Sequence, residues 1–406
     1  MFTICKYIGF FFIPKNKRKG AGMQQLITSD IGIDRMVLKG FKIEQIDIEK
    51  LKEKDFIVLQ DSDNALRFFK DANTDKEVGV NYIKISKEID ENLYINELAI
   101  GRLEIDANVL NKVDYERIDI TIPNVLSSTK TNEKNANTTK EIERALNIVE
   151  NELKGLGFGE VNLIDAEIKR LEMNANISLN KPFKDYERVL GYLQGLAPKR
   201  LKKGVNQTHK PNNIYTGFKI GNKSICLKMY DKRENIKKKH DKDIGQELLR
   251  IEYVLESEKK IKEVLKSNRL SEIIENDLES VKRAFKELLS KDIVSKLYES
   301  VKRQERQAIR YLRENRQVGK ASAVDRYLKD YQTQILDAEI LLYAIKKTSG
   351  SNYMRDSRKA IKSVKKVTGT QMLDNINKLN EILNKLGYEN IEIDISNKLK
   401  KELIEQ

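Results

Sequence analysis

Three stretches of the chain alternate apolar and polar residues at the two-residue period of a β-strand, with reactive groups on the polar side. In residues 168–179, Leu171, Met173, Ala175, Ile177 and Leu179 share one face, while Glu172, Asn174, Asn176 and Ser178 share the other. In residues 224–230, Ile225, Leu227 and Met229 oppose Cys226, Lys228 and Tyr230. In residues 249–255, Leu249, Ile251, Tyr253 and Leu255 oppose Arg250 and Glu252. If the apolar faces pack on helices, the polar faces meet on the open side of one antiparallel sheet. Two carboxylates with an amide oxygen nearby, Glu172, Glu252 and Asn174, make a hard-oxygen site for Mg²⁺ or Mn²⁺. Tyr230, beside such a metal and beside lysines, is what attack on a phosphodiester needs. A phenol with a pKa of about 10 is a poor nucleophile until a metal or base lowers it. Any half-exposed sheet also alternates in this way, so the pattern alone leaves a merely solvated polar face open.

Other chemistries have little material. Two cysteines, Cys5 and Cys226, cannot build a disulfide framework or a Cys-based zinc site. His209 and His240 lie thirty-one residues apart with no HxH pairing, and both read as loop residues. Gly155, Gly157 and Gly159 lack the GxGxxG spacing and end a helix instead of opening one, which argues against a dinucleotide fold. The longest apolar run, residues 8–14, is far short of the roughly 18 needed to span a bilayer. It is followed by basic residues, the reverse of a secretory signal, so a cytoplasmic protein is expected.

The charge is uneven. The formal net charge is +14, yet residues 1–150 carry 23 basic and 25 acidic side chains, and residues 201–250 carry 13 and 5. A base-biased genome would spread lysine evenly, whereas a focused excess attracts polyanions. Lys232, Arg233, Lys237 and Lys238 in the basic loop 232–242 are therefore expected DNA contacts.

The elements that must position these groups fall into two parts. Residues 1–23 read as a disordered segment or an upstream extension. Residues 24–257 read as an α+β domain: strands over 33–39, 97–105 and 117–122, a loop over 127–140, and a helix capped by Thr138 or Thr139. Then come the strand 168–179, a short helix over 182–194, a hairpin of strands 213–220 and 224–230 around Gly221-Asn222-Lys223, and the strand near 249–255. Residues 258–406 change to helical period and stay there, giving an all-helical C-terminal region.

Taken in order, Tyr215-Thr216-Gly217, Lys228-Met229-Tyr230-Asp231-Lys232-Arg233-Glu234 and Arg250-Ile251-Glu252 resemble the core of rolling-circle replication initiators. The likeness is to the Rep_trans-type plasmid initiators and the filamentous-phage gene II/X replication proteins. Arg170-Leu171-Glu172 matches their upstream Arg-x-Asp strand with Glu in place of Asp. The resemblance covers about residues 95–257. It implies an antiparallel-sheet nickase-like domain that cuts one origin strand by tyrosine transesterification, leaving a 5′-phosphotyrosine and a 3′-hydroxyl primer. Carried over, Tyr230 is the preferred nucleophile and Tyr215 the reserve. Glu172 and Glu252 hold the metal with Asn174 assisting, and Glu234 orients the site. Lys228, Lys232 and Arg250 contact phosphates. Expected partners are origin DNA, duplex and single-stranded, a host helicase and a second protomer. The two-histidine metal motif of many other nickases is absent.

In the helical region, residues 303–313 and 321–330 flank a short turn, with Arg310 and Arg316 among its basic side chains. A helix-turn-helix reading duplex DNA fits this pattern, as does a solvated bundle or a dimerisation module. Two alternatives to the nickase accompany the reading: a non-catalytic, sequence-specific DNA-binding protein on the same fold, and a helical scaffold with incidental charge.

Overall fold

A computed structural model describes residues 30–41, 50, 56–60, 66–71, 83–90, 93–100, 105–106, 109–110, 117–121 and 136–404, apart from 212–213, 332–333 and 369–371. The expected extension 1–23, most of the expected loop 127–140 and the side chain of Arg316 lie outside the described residues. The strands are β1 (Asp30–Lys39), β2 (Phe56–Gln60), β3 (Leu66–Asp71), β4 (Ile83–Asp90), β5 (Leu93–Ile100), β6 (Ile105–Asp106) and β7 (Val109–Leu110). After these come β8 (Arg117–Thr121), β9 (Glu167–Ser178), β10 (Val205–His209), β11 (Gly217–Gly221), β12 (Ile225–Asp231) and β13 (Leu248–Leu255). Nine of them form one antiparallel sheet in the order β10-β11-β12-β13-β9-β1-β8-β5-β4. The class is α+β, with a helical C-terminal half.

Register follows the apolar alternation, because a one-residue slip would turn every apolar side chain to the wrong face. Across β13 and β9, Leu249, Ile251, Tyr253 and Leu255 lie opposite Ile177, Ala175, Met173 and Leu171. Across β12 and β13, Met229, Leu227 and Ile225 lie opposite Ile251, Tyr253 and Leu255. That face is covered by helices. The helix Thr139–Gly155 opens with a reciprocal cap between Thr138 and Glu141 and buries Ile142, Ala145, Leu146, Val149 and Leu153. Leu193 of the helix Glu187–Leu196 and Leu297, Leu379 and Leu383 of later helices close over Met229 and Ile251.

Among the described residues, one hydrophobic core takes in side chains from Ile31 to Leu403. Residue 257 therefore marks a change of element type within one packed body. Polar ties cross the same seam: Tyr186 donates to Glu381, Arg188 to the Ile335 carbonyl, and Ile168 N–H to the Asn268 carbonyl. Among the described residues, no helix is long and apolar enough to cross a membrane.

Two expectations fail locally. The basic loop 232–242 is instead a helix over Lys232–His240, capped by the Asp231 side chain on the Glu234 N–H. It has no apolar stripe for periodicity to detect, and its start signal is the cap alone. The strand expected over 213–220 begins only at Gly217, and an edge strand, β10, that the alternation does not reveal pairs outside it. With four of its five residues exposed, β10 has no buried face to leave a pattern. The turn at Gly221-Asn222-Lys223 forms as expected, with Asn222 Oδ1 accepting from the Ser224 and Ile225 N–H groups.

Gly217 has a steric reason to be glycine. Its φ is +136°, and a Cβ there would lie 2.2 Å from the Met229 carbonyl oxygen and 2.6 Å from Tyr230 Cα. Gly191 sits mid-helix with open space where a Cβ would go. Gly217→Ala is expected to destabilise the fold by roughly 2 kcal/mol or more, whereas Gly191→Ala stabilises it by about 0.5–1 kcal/mol. Urea denaturation of both variants checks the opposite signs.

Candidate metal centre and cleft

The polar face of the sheet is built from cross-strand neighbours. Lys228 pairs with Glu252, Tyr230 with Arg250, Glu252 with Asn174, and Arg250 with Asn176. Glu172 therefore lies one step along β9 from Asn174, beside β1. There β1 carries a register shift between Ile33 and Arg35, which makes Asp34 the extra residue of a β-bulge. Asp34, next to core residue Ile33, faces the polar side, and ligand oxygens of Asp34, Glu172 and Glu252 all lie within 4.8 Å of one another. All three residues are buried, at 8%, 6% and 2% exposure respectively.

Three buried carboxylates this close repel one another, and the surroundings answer with cations. Arg170 meets Glu172 at 2.6 Å and Glu256 at 2.8 Å. Lys228 Nζ is bonded to Glu252 Oε1. Arg250, fully enclosed, meets Asp34 at 3.3 Å and donates to Asn176 Oδ1 at 2.7 Å. Even so, burial first and the neighbouring Glu252 charge second push Glu172 up to about 7, against the pull of Lys228 and Arg170. Burial works against the Lys228 ammonium, but Glu252 and Glu172 outweigh it and raise its pKa. The Tyr230 hydroxyl donates to Glu252 Oε2 at 3.2 Å, and burial together with that carboxylate holds the phenol well above its usual range.

These groups floor a cleft of about 840 Å³. Its walls add Arg35, Thr208, His209, Lys210 and Lys219 from β1, the β10 edge and β11, with Lys232 and Lys238 from the helix Lys232–His240. The donor set fits a hard divalent cation: three convergent carboxylates, with the ammonium of Lys228 standing in for positive charge beside one of them.

The expected site residues divide as follows. Glu172, Glu252, Lys228 and Tyr230 are brought together. Asn174 is fully buried on the same face, between Gly32 and Glu252 in register. Arg250, at 0% exposure, is the buried partner of Asp34 and Asn176. The Arg233 guanidinium is forked onto Asp243 at 2.7 Å and bonded to Glu247. Glu234 lines the cleft rim and pairs with Lys238 at 3.2 Å, one helical turn on, not with Tyr230 or the carboxylates. Lys232 is buried against the cleft, and Lys237 is exposed on the same short helix.

Tyr215, the reserve nucleophile, lies outside the cleft lining. Its ring stacks on Phe183 at 6.2 Å, and its buried hydroxyl has no hydrogen-bond partner among the described residues. Arg310 is 81% exposed on the helix Ser295–Glu314, where it pairs with Glu314. Lys302, Arg303, Arg306 and Arg313 share its exposed face. That helix meets Lys320–Tyr331 after a short turn, through Tyr311 packed on Tyr327 and Tyr331.

Sequence reasoning missed Asp34 and the cleft wall at His209, which sits in β10 and not in a loop. A signal for Asp34 exists. Buried Ile31 and Ile33 are followed by buried Met36 and Leu38, a phase change of one residue that marks a bulge. Scanned against known protein families, the chain matches none, and no curated protein is significantly similar to it.

Mn²⁺ is expected to raise the melting temperature, and Asp34→Asn to reduce that rise. Because Glu172 holds a proton up to about pH 7, the metal-free fold loses this group's contribution as pH rises through 7. Metal competes with that proton, so the Mn²⁺-induced rise should be larger at about pH 8 than at about pH 6. Thermal unfolding at both pH values checks the sign.

Proposed function

We propose that this protein is a cytoplasmic, metal-dependent DNA strand nickase of the rolling-circle initiator kind. The observation that carries the reading is the convergence of three buried carboxylates with a tyrosine hydroxyl bonded to one of them, in a cleft walled by lysines. Tyr230 Oη attacks the phosphorus, the bond from phosphorus to the 3′-oxygen breaks, and the departing oxygen takes a proton to become the primer hydroxyl. Glu252 already accepts the Tyr230 hydrogen bond and is set to take its proton. Mg²⁺ or Mn²⁺ held by Asp34, Glu172 and Glu252 would polarise the phosphoryl oxygen.

Lys219, Lys232 and Lys238 offer charge to the flanking phosphates. Duplex contacts fall to the exposed basic face of the helix Ser295–Glu314. The reading calls for a host helicase to open the nicked duplex and admits a homodimer.

One observation favours a second reading, a non-catalytic DNA-binding protein on this fold. Each carboxylate of the cluster already has a cationic partner, as a purely structural ion-pair network would. The two readings separate on supercoiled DNA carrying the protein's own gene neighbourhood, incubated with Mn²⁺. The nickase gives open circles and a protease-sensitive protein–DNA adduct. Tyr230→Phe is expected to abolish both, and Tyr215→Phe to retain them. Site-specific binding without an adduct from the wild-type protein overturns the nickase and leaves the second reading.

A further inference from the structure

The three cations around the carboxylates are not equally held. Arg250 is fully enclosed between Asp34 and Asn176, and Arg170 is tied to Glu256 as well as to Glu172. Lys228 has a side chain 25% exposed, and among the described residues its ammonium makes its hydrogen bond and ion pair with Glu252. It faces the cleft beside Lys219, its cross-strand neighbour on β11. An ammonium on a flexible four-carbon stem commits to no fixed geometry, unlike a guanidinium fork.

We propose that Lys228 is a displaceable cation: without metal its ammonium neutralises Glu252, and a divalent ion entering the carboxylate cluster expels it into the cleft, where it meets a phosphate of the bound strand. The inference rests on the metal-dependent reading above and adds a coupling to it. Glu252 is 2% exposed, and a buried carboxylate stripped of its countercharge is strongly destabilised, so it needs a cation in either state. In the exchange the ammonium keeps its proton, the metal sheds part of its water shell, and no covalent bond changes. Metal binding and strand binding then favour each other reciprocally.

The test is Mn²⁺ titration of the full chain, followed by the electron paramagnetic resonance of the free ion. Lys228→Met is expected to bind Mn²⁺ roughly tenfold more tightly than wild type, since the competitor is gone. Lys219→Met removes the same charge from the same wall, and is expected to change the affinity much less. An equal gain in both variants, or no gain in Lys228→Met, overturns the displacement. Lys228→Gln, which keeps a polar head, should match Lys228→Met, and circular dichroism verifies that each variant is folded.

A second arm measures a short single-stranded oligonucleotide by fluorescence anisotropy with and without Mn²⁺. The Mn²⁺-dependent gain in affinity should be smaller in Lys228→Met than in wild type, and an undiminished gain overturns the handover to phosphate. Absence of Mn²⁺ binding in wild type and every variant refutes the metal-dependent reading itself, which distinguishes that failure from failure of the displacement alone.

Discussion

Bringing three carboxylates together out of water is the demand that the rest of the polar face answers. Asp34, Glu172 and Glu252 are each under one-tenth exposed and lie within 4.8 Å by their ligand oxygens. Like charges so placed either take up protons or recruit cations. Both responses are present: Glu172 is pushed up to about 7, and Arg170, Lys228 and Arg250 stand against the cluster. A divalent ion would meet the same demand with one centre.

The opposite face of the sheet makes this possible. Burial of Leu171, Met173, Ala175 and Ile177 against Leu249, Ile251, Tyr253 and Leu255 fixes the β9–β13 register. That register sets Glu252 opposite Asn174 and Arg250 opposite Asn176 on the reverse side. Apolar packing thus positions the polar chemistry, since side chains alternate along each strand. Gly217 contributes by omission: lacking a Cβ, it lets β11 pass close to the backbone of Tyr230. The glycine in the Tyr-x-Gly stretch therefore has a steric role next to the proposed nucleophile.

Basic residues that look alike in sequence divide by depth. Arg250 and Arg170 form the inner layer, fixed to carboxylates. Lys219, Lys232 and Lys238 line the cleft, while Arg233 is spent on Asp243 and Glu247. The concentration of positive charge in residues 201–250 is therefore partly structural. A count of charges cannot tell a guanidinium paired with carboxylates from one that is not.

Alternation alone located β9, β12 and β13, and with them Glu172, Lys228, Tyr230 and Glu252 on a shared face, because strands with one apolar and one polar face write their orientation into the chain. The change to helical period near residue 258 was legible for the same reason. Elements without a buried face left no such trace: the exposed edge strand β10, and the charged helix Lys232–His240 with only Asp231 to announce it. Asp34 joined the site only through pairing of β1 with β9, some 138 residues onward. Sequence fixes which face a side chain takes within its own strand. Which strands become neighbours, and so which charges are paired, enclosed or left facing the cleft, is decided by long-range packing of the apolar face.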